Sequence, residues 1–200
     1  MTATSRRTPG TRLILALGSS LLALGSLSAA HAAEFTQVSA DKSQITFVSK
    51  QMNVPVDGRF KRVDAQVKFD PAKPETAQAK IEVDLASIDT GNAEADGEVK
   101  GKPWFNTAAF PKAVFTAASV KKLADGRFEA HGPLSIKGIS RDVVAVFTVR
   151  PEGNGAWFDG GFTLKRLPYK IGEGSWSDPS VVADDVQVKF KFYALPGAKK

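Results

Sequence analysis

Two groups of carboxylates are the residues of this sequence best suited to acid–base chemistry. They are Asp89, Glu94, Asp96 and Glu98, followed much later by Asp178, Asp184 and Asp185. Hydrolases that cleave glycosidic bonds pair two carboxylates, so a secreted hydrolase or isomerase that uses Asp89 and Asp178 is one hypothesis. Both groups fall between segments that look like strands, and solvated loop charge is the more common explanation for acids there.

Histidine and cysteine chemistry is restricted by the number of these residues. The chain has no cysteine, and its two histidines are His31 and His131. His31 lies in an N-terminal segment that we expect to be removed, which leaves His131 alone in an alternating stretch of sequence. A zinc site needs several nitrogen or sulfur ligands, and a serine triad would need His131 near a nucleophile elbow that the sequence lacks. We therefore predict no metal site and no catalytic triad.

The N-terminal segment has the pattern of a cleaved signal peptide. Three arginines precede an apolar stretch at residues 13–27, and residues 30–32 are Ala-His-Ala, a small-residue cleavage site. We predict a signal peptide over 1–32, a single domain over 33–200 and a periplasmic location. Loss of the three arginines lowers the formal net charge from +6 to about +3, so no nucleic acid is expected as a partner.

The rest of the sequence alternates between apolar and polar residues in eight segments. We predict strands over 43–50, 59–70, 79–85, 113–123, 127–137, 142–150, 156–166 and 186–195. Residues 52–58 contain a proline and are predicted to interrupt the first two strands, and Gly132-Pro133 is predicted to form a bulge or bend. Eight strands at hairpin spacing fit a sandwich or an up-and-down barrel, and the periodicity does not separate the two.

The segment between the third and fourth strands carries three aromatic residues. A polar stretch over 93–102 is predicted to form a short helix, and Trp104, Phe105 and Phe110 follow it. Aromatic rings outside the strands need an apolar surface to cover, and the open end of a barrel would supply one. This segment favours a barrel with a gated mouth over a sandwich.

The apolar faces of the strands could together enclose a tunnel for a hydrocarbon ligand. Burial of each methylene group is worth about 0.8 kcal/mol, so a long tail could bind tightly without polar chemistry. An ordinary packed core is the alternative for each of these residues. The predicted lining of the tunnel is Ile45, Phe47, Val67, Phe69, Ile81, Val83, Trp104, Phe105, Phe110, Phe115, Ile136, Phe147, Phe162, Leu164, Phe190 and Phe192.

Short motifs spread over nearly all of the chain after the signal peptide resemble those of the YceI-like proteins. The motifs lie at 43–47, 58–60, 87–91, 104–115 and 132–140. YceI-like proteins are periplasmic, lipocalin-like barrels described as polyisoprenoid-binding. The resemblance implies an all-β fold, an extended eight-stranded antiparallel barrel with short helical insertions. It also implies a long lipid tail in an apolar tunnel and a frequent homodimer.

The resemblance further implies where a polar headgroup would lie. The late arginine of the family matches Arg166 and its later aromatic residue matches Tyr169, whereas Lys170 replaces a common glycine. With Trp176, these residues are the predicted headgroup end. The family's Arg-Asp pair is replaced by Glu-Ala-Asp-Gly at 94–97, so no arginine contact is carried over from that region. The long loop at 172–178 is similar to that of members associated with membrane b-type cytochromes, for which a quinone is a natural isoprenoid.

Three hypotheses result. The first, which we favour, is a non-enzymatic periplasmic carrier of a long-chain isoprenoid lipid, either a polyprenyl lipid or an isoprenoid quinone. It requires no other cofactor, and a membrane b-type cytochrome system is a candidate partner. The second is the hydrolase or isomerase that uses loop carboxylates. The third is a structural or inhibitory barrel with a packed interior.

Overall fold

The computed structural model describes residues 1–2 and 34–197. Apart from residues 1 and 2, the predicted signal peptide lies outside the described residues. The strands are β1 (Phe35–Gln51), β2 (Val54–Phe60), β3 (Val63–Lys68), β4 (Gln78–Asp84), β5 (Ile88–Asp89), β6 (Lys112–Thr116), β7 (Ser119–Lys122), β8 (Phe128–Ile136), β9 (Ile139–Glu152), β10 (Gly155–Lys165) and β11 (Asp185–Pro196). One α-helix, α1 (Ala93–Lys100), and 3-10 turns at Pro74–Thr76, Leu85–Ser87, Leu167–Tyr169 and Gly174–Trp176 complete the described elements. Among these residues, no helix is both long and apolar enough to cross a membrane.

The strands form a single curled antiparallel sheet. Its order is β3-β4-β6-β8-β9-β10-β11-β1-β2-β5, with β7 beside β8. The curl brings the start of β1 to the end of β3, where Phe35 and Phe69 exchange two backbone hydrogen bonds of 2.8 and 3.0 Å. These bonds close one end of the curl, because they join the first strand of the sheet order to β1. The predicted all-β antiparallel class is therefore confirmed.

The number of strands exceeds the predicted eight because two predicted strands are broken. The predicted strand over 59–70 divides at Lys61-Arg62 into β2 and β3. The one over 113–123 divides at Ala117-Ala118 into β6 and β7, where the two N–H groups donate to the carbonyls of Ala79 and His131. The short β5 adds a third departure from the predicted count.

The predicted interruption at 52–58 is confined to residues 52 and 53, and it is wrong for 54–58, which belong to β2. Met52 and Asn53 form a tight turn with positive φ angles of 47° and 63°, and β2 pairs with β1 from Val54 onwards. Pro55 is tolerated because β5 pairs only with Arg59 and Phe60, so this part of β2 is an edge without a second neighbour.

The predicted bulge at Gly132-Pro133 is also wrong. The register between β8 and β9 runs through both residues without a shift. Glycine is required at 132 for a different reason, since a Cβ atom there would overlap the carbonyl oxygen of Thr116 at the break between β6 and β7.

Aromatic rings pack the end of the sheet where Phe35 and Phe69 meet. The ring of Phe69 makes edge-to-face contacts with Phe128, Phe147 and Phe158, at centroid distances of 5.1, 5.9 and 5.3 Å. Such contacts add to the burial of the rings themselves. This end of the interior is consequently dense, whereas the remaining inward faces leave space.

Gly160 provides a test of how closely β9, β10 and β11 pack. A Cβ atom at this position would lie 2.5 Å from both the carbonyl oxygen of Val146 and Cζ of Phe190. Gly160→Ala is therefore expected to lower the free energy of unfolding by about 2–3 kcal/mol through overpacking, measured by urea denaturation.

Gly97→Ala is the matched control, because no atom lies within 4 Å of a Cβ atom at this position of α1. It should leave stability unchanged or raise it by up to about 1 kcal/mol, since alanine favours a helix over glycine. Equal midpoints for the two variants would contradict the close packing at Gly160.

Candidate binding cavity

An elongated cavity of about 650 Å³ lies inside the curled sheet. Small-molecule sites in proteins have volumes of about 300–1,000 Å³. Val38 and Gln51, which lie near opposite ends of the 17-residue β1, both line the cavity. At about 3.3 Å per residue, this part of the strand spans up to roughly 40 Å. The space is therefore long and narrow.

The predicted tunnel residues line this cavity with one exception. All of them except Phe110 contribute to its wall. Phe110 instead covers the turn between β8 and β9, where its ring lies against Gly138. Lys137 and Gly138 both have positive φ angles in this turn, 52° and 75°, and the glycine leaves room for the ring.

Small residues on the inward faces create the space and were absent from the sequence prediction. Ala113, Ala130 and Ala145 line the cavity beside bulky neighbours such as Phe115 and Phe147. Ala113 and Ala145 lie two residues before Phe115 and Phe147, so each shares the face of its bulky neighbour, and this parity is the signal that could have identified them.

Arg166 organises the loop between β10 and β11. Its side chain is 1% exposed, and its N–H groups donate to five backbone carbonyls. Nε binds Ala183 O at 3.1 Å, Nη1 binds Ile171 O and Gly172 O at 2.7 and 3.2 Å, and Nη2 binds Trp176 O and Val182 O at 2.7 and 2.6 Å. Burial lowers the pKa of Arg166 from its usual value, and the charge of Asp184 partly opposes this. Guanidinium is suited to the position because its five donors point in fixed directions.

The predicted role of Arg166 as a headgroup donor does not fit this geometry. Arg166 lines the cavity, but all five of its N–H groups are used by the loop. Tyr169 and Lys170 do not line the cavity. Tyr169 is 2% exposed and burial raises the pKa of its hydroxyl, while the carbonyl of Lys170 accepts a 2.7 Å hydrogen bond from Lys137 Nζ.

Two tryptophans stand at the same end of the cavity as Arg166. The rings of Trp104 and Trp176 are 5.5 Å apart, and the guanidinium of Arg166 lies 5.9 Å from the centre of the Trp104 ring. Trp176 Nε1 donates to Glu98 at 3.2 Å. Trp104 Nε1 is buried and has no hydrogen-bond partner among the described residues. Both tryptophans line the cavity, as predicted from the sequence for Trp104, whereas Trp176 was predicted for the headgroup end.

Polar residues border this end of the cavity and form what we call the polar mouth, defined as Thr90, Asn92, Glu94 and Glu98. The last three lie at the start of α1 or on it, and Asn92 Oδ1 accepts from the N–H groups of Glu94 and Ala95 as an N-cap. No residue of α1 is buried. The helix therefore covers the cavity without being packed into the core. A short helix over 93–102 was predicted, but none of its residues was among the predicted lining of the tunnel.

The carboxylates of the hydrolase hypothesis serve other purposes in the structure. Asp89 pairs with Arg59 and Lys61 at 2.8 and 3.1 Å, and these hydrogen bonds lower its pKa to about 2. Asp178 accepts from the N–H and hydroxyl of Ser180, which also lowers its pKa. Neither lines the cavity. A depressed pKa keeps both groups ionised near neutral pH, where a general acid must carry a proton.

Three further residues of these two acidic groups are likewise engaged. Asp96 accepts from the N–H and hydroxyl of Thr90, Asp184 accepts from Leu167 N, and Asp185 pairs with Lys165. His131 lies outside the cavity, with Nε2 2.5 Å from Glu129. Within the described range, no three His, Asp or Glu side chains are grouped so that they could hold a metal ion.

Acid unfolding should report the depressed pKa values of Asp89 and Glu82. Lys112 and Lys80 lower the pKa of Glu82 from 4.5 to about 2, and that of Asp89 falls from 3.8 to about 2. Between the ordinary and the lowered pKa of each group, the unfolded chain binds a proton that the folded protein does not. The stability contributed by these ion pairs is therefore present above about pH 4.5 and is lost towards about pH 2.

The Asp89→Asn/Glu82→Gln variant is expected to show a shallower loss of stability over this pH window, measured as urea midpoints at a series of pH values. Above about pH 5 the urea midpoints of the variant and of the unchanged protein should depend on pH in the same way. An identical acid profile for the two proteins would contradict the ion-pair assignments.

Replacement of Arg166 tests whether its five hydrogen bonds hold the loop. Arg166→Lys leaves several buried carbonyls without donors, and we expect a loss of about 3 kcal/mol or more in the free energy of unfolding. Arg59→Lys is the control, because Arg59 forms an exposed ion pair that contributes about 1 kcal/mol or less. Urea denaturation followed by tryptophan fluorescence measures both. Similar losses in the two variants would show that Arg166 does not hold the loop.

Comparison with known proteins agrees with this architecture. The sequence matches the family model described as the YceI-like domain over residues 37–194. It is 33% identical over 167 residues to a protein of Azotobacter vinelandii named UPF0312 protein, a match that covers 78% of this chain and 84% of that one.

Two solved structures are similar in fold. BcnA of Burkholderia cenocepacia is 40% identical, with a TM-score of 0.77 over 79% of this chain and 99% of its own. A domain from Saccharophagus degradans, described as a polyisoprenoid binding domain implicated in plant cell wall breakdown, is 18% identical. Its TM-score is 0.61 over 84% of this chain and 100% of its own, and at this identity the likeness concerns the fold alone. Because the family model covers most of the sequence and the curled sheet agrees with it, the chain belongs to the YceI-like domain family.

Proposed function

We propose that this protein binds and carries a long-chain isoprenoid lipid in the periplasm and does not catalyse a reaction. The observation that carries the proposal is the elongated apolar cavity of about 650 Å³ inside the sheet. A packed structural barrel would fill this space with side chains, since eight-stranded barrels have an interior just wide enough for that. Alanines at 113, 130 and 145 leave it open instead.

The chemistry of the wall supports a hydrocarbon ligand. The inward residues from β1, β4, β6 and β8–β11 are mainly Phe, Ile, Leu, Val and Ala, and the polar ones, Ser49, Gln51 and Gln78, lie near strand ends. Each buried methylene contributes about 0.8 kcal/mol, so a long tail supplies most of the binding free energy. An isoprenoid tail suits a wall that alternates bulky rings with alanines, because its methyl branches recur at regular intervals. The description of the Saccharophagus degradans domain as polyisoprenoid-binding supports the same class of ligand.

An isoprenoid quinone is the form of ligand that we propose in preference to a polyprenyl phosphate. Arg166 has no free N–H group to offer a phosphate, as its donors are used by the loop. Export by the signal peptide over 1–32, a homodimer and delivery to or from a membrane b-type cytochrome system belong to the same proposal. The hydrolase alternative has less support, because Asp89 and Asp178 lie outside the cavity.

Phe162 offers a direct test, since it lies on β10 and lines the cavity. Phe162→Asp places a charge in the path of the tail, and burial of a charge without a partner is strongly unfavourable. We expect the folded variant to retain geranylgeraniol at least about tenfold less tightly than the unchanged protein, which corresponds to 1.4 kcal/mol or more.

Val144→Asp is the matched control, because Val144 lies on the neighbouring β9 and is 44% exposed. Retention of radiolabelled geranylgeraniol by the delipidated protein measures binding, and circular dichroism verifies the fold of each variant. Retention of the lipid by folded Phe162→Asp at the level of Val144→Asp would contradict a ligand in this cavity.

A further inference from the structure

The polar mouth carries two carboxylates, Glu94 and Glu98, that form no ion pair with a cation among the described residues. Glu94 and Glu98 lie four residues apart on α1, so they share one side of the helix, and both line the cavity. Glu98 also accepts the 3.2 Å hydrogen bond from Trp176 Nε1, which holds this carboxylate beside the tryptophan pair. A ligand headgroup at this end therefore meets negative charge.

The cationic side chains of the wall are not available to a headgroup. Among the described residues that line the cavity, they are Arg166 and Lys68. The N–H groups of Arg166 are used by five carbonyls. Lys68 pairs with Glu34 at 3.4 Å and precedes Phe69, at the opposite end of the cavity from α1.

The lysines Lys100 and Lys137, which lie close to the polar mouth in sequence or in space, do not supply a cation to a headgroup there. Lys100, in the last turn of α1, is not part of the cavity wall. The side chain of Lys137 is 8% exposed, and its ammonium donates to Glu173 Oε2 at 2.7 Å and to the carbonyls of Lys102 and Lys170. It braces the two loops beside the mouth and is not free to bind an anion.

A neutral hydrogen-bond donor without a partner lies beside the polar mouth. Trp104 Nε1 is buried, and no hydrogen-bond partner for it exists among the described residues. An unpaired buried donor is unfavourable, and a ligand oxygen that accepts from it removes this cost. A carbonyl or hydroxyl oxygen satisfies such a donor without bringing a charge.

We infer that Glu94 and Glu98 select the ligand by charge: the cavity takes an isoprenoid with an uncharged, oxygen-bearing headgroup and rejects one that ends in phosphate. The inference rests on the proposed function and adds the class of headgroup and the residues that determine it. The two carboxylates act through repulsion, because neither is paired with a cation and the N–H groups of Arg166 are directed to the loop and not to a headgroup. Each carboxylate within several Å of a phosphate weakens its binding about threefold at low ionic strength.

Ligands that share one tail and differ only in their headgroup test the inference. Geranylgeraniol and geranylgeranyl monophosphate are titrated against the delipidated protein at low salt. We expect the alcohol to bind at least about tenfold more tightly than the phosphate. About 0.5 M salt should reduce this difference in affinity, because it screens the carboxylates.

The Glu94→Gln/Glu98→Gln variant should lower the preference for the alcohol over the phosphate roughly five- to tenfold relative to the unchanged protein, because the phosphate then binds more tightly. The control, Glu75→Gln/Asp41→Asn, removes the same charge from exposed acids outside the cavity wall and should leave both affinities unchanged. This comparison separates a local effect at the mouth from an effect of net charge.

The outcomes distinguish the inference from the function on which it rests. Binding of neither ligand would overturn the proposed function. Tight binding of the alcohol, with equally tight binding of the phosphate or with no gain in the Glu94→Gln/Glu98→Gln variant, would overturn the charge selection alone.

Discussion

The alternation of side chains along a curled antiparallel sheet is the constraint from which the cavity follows. Every second residue of β1, β4, β6 and β8–β11 must point inward, so the volume of these residues alone decides whether the interior is filled. Phenylalanines fill it where Phe35 and Phe69 join the edges of the sheet. Further along, Ala113, Ala130 and Ala145 leave it open. A tunnel and a packed end thus arise from one pattern with different side-chain sizes.

Arg166 stabilises the mouth of this tunnel through an unusual environment for a cation. A guanidinium that is 1% exposed must be compensated, and here five backbone carbonyls of one loop do so without a carboxylate in hydrogen-bond contact. The residue therefore acts on the position of Trp176 and Val182, both of which line the cavity. All of its N–H groups are used by the loop, so Glu94 and Glu98 are the lining charged groups at this end that have no cationic partner among the described residues.

The sequence predicted the features that depend on local alternation and missed those that depend on distant partners. The inward faces of β4, β10 and β11 could be predicted because period-two patterns are local, whereas residues 143–147 of β9 are apolar on both faces. The break at Ala117-Ala118 could not, since it depends on the carbonyls of Ala79 and His131. The role of Arg166 in the loop could not be predicted for the same reason, because every residue has a backbone carbonyl and the sequence does not show which carbonyls lie near the guanidinium. Phe110 was misplaced because its partner, Gly138, lies in a turn rather than on a strand face.

The most direct test of a lipid held in the cavity is native mass spectrometry of the protein purified from its own cells, followed by organic extraction. We expect a discrete excess mass that is released on denaturation and extracts as an uncharged isoprenoid, with a quinone as the expected species. Protein without excess mass that also fails to take up isoprenoid quinone or geranylgeraniol when these are added would contradict it, because an apolar space of about 650 Å³ would then have no ligand of the proposed class.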